Sequence, residues 1–218
     1  PTPLGSNLCG TIGSDATLYA AHSPYVVSCS VTIPAGVTLS VEPGAVIKFQ
    51  PGTGLNVYGI LDAQGLATEP VHFTSYRDVS VGGDTNNDGS ASSPGVDWSH
   101  IYVRSGGSAN LTQTVLRYGG SIAGYGALHV NGGTAVATNC ELSHNSTAAR
   151  VDSGSLTLTD CRIASGPTGT YASGGTLTVR NNTFDENSQP IYASNTALII
   201  ENNQIRTTTS SSSNPAIT

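Results

Sequence analysis

The chain has no methionine, one tryptophan, three phenylalanines and one lysine, Lys48, and charged side chains make up only 10% of it. Without large flexible fillers, a wide core of interleaved layers is excluded, and a thin core of small and β-branched residues remains. At 218 residues one domain is expected. No apolar run approaches the roughly 18 to 20 residues that cross a bilayer as a helix, so no membrane span is expected. Eight basic against 14 acidic residues give a net charge of −6. Such a balance lacks the basic patch that a phosphate backbone requires and argues against nucleic acid as a partner. The five histidines, at 22, 72, 100, 129 and 144, show no zinc-ligand spacing. No serine sits in a G-x-S-x-G elbow and no glycine-rich phosphate loop leads a strand into a helix. The chain opens at Pro1 without an initiator methionine or signal segment, which reads as a processed or trimmed start.

What is present is repetition. VNGGTAVATNCEL from Val130, VDSGSLTLTDCRI from Val151, ASGGTLTVRNNTF from Ala172 and ASNTALIIENNQI from Ala193 follow one another at a period of 21 residues. Ala135, Leu156, Leu177 and Leu198 form one apolar column. Ala137, Leu158, Val179 and Ile200 form a second, and Leu142, Ile163, Phe184 and Ile205 a third. The intervening residues are polar, and alternation with period two means strands. An Asn or Asp bend, at Asn139, Asp160, Asn181 and Asn202, divides each line into two short strands. A unit that cannot bury its own apolar face must stack on its neighbours. The expected fold is therefore all-β, a right-handed parallel β-helix, the hand following from crossover chirality and coil size.

Residues 1–30 do not fit the coil pattern and read as a cap over the first coil, stapled by Cys9 and Cys29. The β-helix is expected over residues 31–218, interrupted by loops at 76–98 and 117–127. The run VTIPAGVTLSVEPGAVIKF, followed by LNVYGILDAQGLATEPVHFTS, resembles the right-handed β-helix domains of large bacterial and archaeal secreted or cell-surface proteins. The resemblance covers about residues 20 to 120. It implies fold and export, and says almost nothing of activity.

Within the first loop, Asp84, Asn86, Asp88 and Gly89 stand in the order D-x-N-x-D-G-S, three oxygen-bearing side chains at alternate positions before a sharp turn. Hard cations such as Ca²⁺ bind such loops. Gly95 occupies the place of the usual bidentate Glu, so Asp97, or Asp78 upstream, is the expected substitute. The resembling domains often carry a similar DTNGDG insertion here. Turn formation alone also explains these residue types. Cys140 and Cys161 share a column of adjacent coils, and parallel strands about 4.8 Å apart bring such a pair within disulfide range. Two bonds, Cys9–Cys29 and Cys140–Cys161, are expected, with two free buried thiols the alternative at the second pair, and the bonds imply an oxidising, extracellular compartment. Sequons at Asn110, Asn145 and Asn181 are candidate glycosylation sites.

Catalysis is not expected. Polysaccharide lyases need a base beside the uronate, and glycosidases need two facing carboxylates. The outward columns instead set Glu141 beside Arg162 and Arg180 beside Glu201. Tyr118 and Tyr125 in the second loop suit either sugar stacking or packing on the flank. Ala216, Ile217 and Thr218 follow Asn214 and Pro215 and resemble the opening of another coil, as Ile191 to Ala193 do after Gln189 and Pro190. The expectation is a non-catalytic extracellular structural or adhesive protein that associates end to end into a filament. A carbohydrate-binding module or a polysaccharide-active enzyme is the alternative.

Overall fold

The computed structural model describes residues 2–3, 6–89 and 95–206. Its strands are short, parallel and stacked into three faces. The first face piles up Ala16–Leu18, Thr38–Val41, Ile60–Gln64, Ser108–Thr112, the second halves of Leu128–Thr138 and Thr147–Thr159, Thr176–Arg180 and Ala197–Glu201. The second runs from the start of Tyr25–Ile33 through Val46–Phe49, Val71–Ser75, Thr114–Arg117, Glu141–Ser143, Arg162–Ala164 and Thr183–Asp185 to Gln204–Arg206. The third continues from the end of Tyr25–Ile33 through Leu55–Val57, Ile101–Val103, the first halves of Leu128–Thr138 and Thr147–Thr159, Thr168–Ala172 and Gln189–Ala193. Each coil visits the three faces in that order.

The expected columns are the observed register. Ala135, Leu156, Leu177 and Leu198 pair in sequence, as do Leu142, Ile163, Phe184 and Ile205. All but the last coil's members are buried. A fully buried Leu contributes about 1.5–3 kcal/mol, so these ladders carry the stability that a thick core carries elsewhere. Asn139, Asp160, Asn181 and Asn202 all sit in the left-handed region, at φ 54, 54, 57 and 55°. Short polar side chains tolerate that conformation best, which explains the column. At the corner between third and first faces the turns stack so closely that side chains do not fit. A Cβ on Gly154, at φ 84°, would lie 2.1 Å from the Gly133 carbonyl oxygen.

In the segment expected as a cap, the described residues 2–3 and 6–30 carry strands that stack on the first coil. Thr2–Pro3 pairs with Ala16–Leu18, and Asn7–Thr11 pairs with Tyr25–Ile33. Leu8, Ile12, Ala16 and Leu18 alternate inward like later coils, but uneven turns hide the period. The Cys9–Cys29 disulfide joins these two neighbouring strands, with Cα atoms 4.8 Å apart. Both loop insertions leave from the corner between the second and third faces. Residues 207–218, where another coil is expected to open, lie outside the described residues.

Candidate functional site

The first insertion is tied down by the only lysine. Lys48 is fully buried, and its Nζ donates to the carbonyls of Asp78 (2.8 Å) and Gly83 (2.5 Å). Burial pushes its pKa down, with the charges of Asp78 and Asp84 pulling the other way. The Asp78 carboxylate accepts from the hydroxyls of Thr74 and Ser80, both at 2.6 Å, and pairs with Arg117 at 2.8 Å. Burial raises its pKa, and these bonds with the Arg117 charge more than reverse that, leaving it below the ordinary range. Asp78 is thus engaged by Arg117, Thr74 and Ser80.

Asp84, Asn86 and Asp88 share one loop turned by Asn87 and Gly89, at φ 55° and 66°. Asp84 accepts the Gly89 N–H at 3.0 Å, and the Asn86 amide donates to Asp88 at 2.5 Å. The Asn86 Oδ1 is shielded from solvent and has no hydrogen-bond partner among the described residues. Asp97, the expected fourth ligand, is drawn elsewhere: it accepts the Ser75 hydroxyl at 2.8 Å and faces Arg77 at 3.8 Å, because the returning chain packs it against the second face. Its Oδ1 is also buried without a partner among the described residues, and burial raises its pKa. Among the described residues no three His, Cys, Asp or Glu side chains converge. A cation here would rest on two carboxylates, the Asn86 carbonyl oxygen and backbone oxygens, a donor set that suits Ca²⁺. Ser90, the next residue of the motif, lies outside the described residues.

Cys140 and Cys161 are free, buried thiols, and the expected second disulfide is absent. The reason lies in the column they share with Asn182 and Asn203. The backbone N–H of Cys140 donates to Cys161 Sγ (3.4 Å), that of Cys161 to Asn182 Oδ1 (2.8 Å), and that of Asn182 to Asn203 Oδ1 (2.8 Å). In return Asn182 and Asn203 donate to the carbonyls of Leu158 and Val179, while the Cys161 and Cys140 thiols donate to those of Ala137 and Leu111. Each thiol does the work of an asparagine amide, closing backbone bonds at a buried corner. The partner thiol and burial hold the Cys161 pKa well up, so it stays protonated.

The sequons separate by exposure. Asn110 and Asn181 are exposed. Asn145 is not an acceptor in the folded chain: it is 1% exposed, its Oδ1 accepts the Gly119 N–H and its Nδ2 donates to Leu116. Arg162 reaches Asp185 at 2.9 Å and Glu141 at 3.7 Å, and Arg180 pairs with Glu201 at 2.9 Å, as the columns require. Column reading misses a groove of about 410 Å³ beside them, whose walls include Glu141, Asp160, Arg162 and Gln113. It brings two carboxylates to one surface because a bend residue and a strand residue meet there.

The third face carries a side-chain column that the 21-residue lines do not signal. Its outward column reads Asn56, Tyr102, His129, Arg150, Tyr171 and Tyr192. The Arg104 guanidinium lies 3.8 Å from the Tyr102 ring centroid, Tyr102 is 4.5 Å from His129, and Arg150 lies 4.3 Å from Tyr171, which stacks on Tyr192 at 4.7 Å. Tyr125 from the second insertion stacks on His100 at 4.8 Å, whereas Tyr118 packs by His144 on the other side of that loop. The His129 Nε2–H donates to the Asp152 carboxylate at 2.9 Å, and Asp152 also takes bonds from Arg150 and Ser173. Burial, then the neighbouring His129 and Arg104 charges, push the His100 pKa down to about 4. Burial lowers that of His129 as well, against the pull of Asp152.

Stacked coils with three parallel faces define a solenoid whose side-chain columns run along its axis. The chain belongs to the family described as "Right handed beta helix region", whose model matches residues 99–215. Among curated proteins it is similar to Protein bark beetle of Drosophila melanogaster, 37% identical over 71 residues, which is 33% of this chain and 2% of that protein. The chain therefore spans a small fraction of that relative's length. No solved structure gives a significant match.

Proposed function

We propose that this chain is a non-catalytic, extracellular structural and adhesive β-helix whose first insertion binds Ca²⁺. The carrying observation is that three carboxylates in the outward columns of the 21-residue coils are paired with an arginine of a neighbouring coil, Glu141 and Asp185 with Arg162 and Glu201 with Arg180. Cross-strand pairs of this kind contribute roughly 0.2–1 kcal/mol each and support stacking. The Cys9–Cys29 bond supports an oxidising compartment. End-to-end association is part of the reading, and Ile205, an inward-column residue that is 39% exposed, is the apolar side chain offered to it.

The groove lined by Glu141, Asp160 and Arg162 favours a second reading, a polysaccharide-active enzyme. Incubation of the purified protein with pectin and alginate, read as new reducing ends and unsaturated uronates, separates the two. The structural reading expects no cleavage, and Glu141→Gln shifts only melting. Cleavage that Glu141→Gln abolishes overturns it.

A further inference from the structure

The first face differs in kind from the other two. Over four coils its outward residues fall into three straight columns: Ser108, Thr134, Ser155 and Thr176, then Asn110, Val136, Thr157 and Thr178, then Thr112, Thr138, Thr159 and Arg180. Nine of these twelve positions carry a hydroxyl and none an aromatic ring, so the array is chemically uniform. Its single charge, Arg180, sits at a corner and is taken by Glu201 of the next coil. Both insertions leave from the corner between the other two faces.

The array is held firmly from beneath. Its strands pair without a register shift from Thr134 onward, and the residues between the columns, such as Leu156, Leu158, Leu177 and Val179, point inward and are fully buried. The side chains above therefore keep fixed intervals. None of the nine hydroxyls makes a side-chain hydrogen bond among the described residues. Thr178 is the telling case, because it faces outward between Thr157 and Ile199 yet is only 7% exposed. A hydroxyl so enclosed, with no bond from the protein, requires its partner from outside.

The chemistry of the face selects that partner. Without free charge it does not suit phosphates or a charged polymer, and without rings it does not stack on sugars. It also lacks the aromatic, methionine and arginine anchors of a protein interface, in which serine is depleted. What fits is a neutral partner offering hydrogen bonds at fixed intervals in two dimensions. Stacked coils repeat at about 4.8 Å, and alternate residues of a strand at about 6.6 Å. Water joined tetrahedrally through O–H···O bonds of about 2.75 Å places second-neighbour oxygens about 4.5 Å apart and repeats along its hexagonal axis at about 7.3 Å. Each repeat of the face lies within about a tenth of its counterpart. We propose that the first face binds ice, its hydroxyls occupying lattice positions while the threonine methyls fill the gaps between them. This surface is independent of the calcium loop and of end-to-end contact, and stands or falls apart from them.

The test is slow growth of ice on a cold finger in a dilute solution of the intact, unglycosylated chain, with the protein in the melted ice quantified by absorbance. The chain is expected to enter the ice, and to hold the freezing point of a seeded crystal below its melting point. Thr157→Lys and Thr134→Lys each place a charge in the array, and each should lower the ice-bound fraction severalfold. Thr183→Lys, on the second face, should leave it unchanged. Melting curves of all three variants check that the coils remain folded, and the two array variants guard against one that does not fold. Exclusion of the unmodified chain from ice overturns the proposal. So does incorporation that neither array substitution reduces. A dimer that Thr157→Lys dissolves, with no entry into ice, also overturns it and assigns the face to a second copy of the chain.

Discussion

At the scale of single residues, Cys161 is the most informative position. It accepts the Cys140 N–H and donates to the Ala137 carbonyl, the two bonds that Asn182 makes one coil later. Cys161→Asn should therefore fold with equal or greater stability. Cys161→Ala leaves a buried N–H unpartnered and should be destabilising by about 1–3 kcal/mol in denaturant titration. Thiol reagents should label Cys140 and Cys161 only after unfolding. The column itself is legible in the sequence, but its chemistry is not, because two cysteines on adjacent coils satisfy disulfide geometry and hydrogen-bond geometry alike. The same ambiguity holds for Asn145, where N-S-T reads as a sequon although its amide holds the Gly119 N–H and the Leu116 carbonyl.

At the scale of elements, the inward columns were readable because apolar alternation survives wherever coil length is constant. A second left-handed column, at Tyr118, His144, Ser165 and Glu186, was not, because four unrelated side chains occupy it and none signals a bend. The third face was hidden differently: both insertions fall between its strands and the preceding face, so Asn56, Tyr102 and His129 lose the period that links His129, Arg150, Tyr171 and Tyr192. The first insertion depends on Lys48. Lys48→Met removes the donor to the Asp78 and Gly83 carbonyls. It should make residues 76–98 protease-sensitive and lower stability by about 1–3 kcal/mol. Calcium adds a separate expectation. Chelation should lower the melting temperature and open the same loop, and Asp84→Asn should abolish the difference between calcium-loaded and chelated protein. An unchanged melt and digestion pattern on chelation would count against the cation.

At the scale of the whole molecule, stability should depend on pH through the third face. The His100 pKa lies at about 4 in the fold, against about 6.5 in an unfolded chain. Between those values the unfolded state holds more protons than the folded one. Stability is thus full above about pH 6.5 and falls as pH drops toward 4, by up to about 1.4 kcal/mol per pH unit for one such group. His129 and His72, both lowered chiefly by burial, act in the same direction. Urea midpoints at about pH 7.5 and about pH 5 should differ, and His100→Phe, which keeps the stack on Tyr125, should shrink that difference.

Under the proposed reading, the molecule is a rod of stacked coils that acts through its faces and ends. Small-angle X-ray scattering across a wide concentration series tests this most directly, because cross-section and length are read separately. The expected result is a constant cross-sectional radius with a length that grows with concentration, as end-to-end contacts form through the coil that carries Ile205. A length that stays that of one chain at every concentration would contradict it.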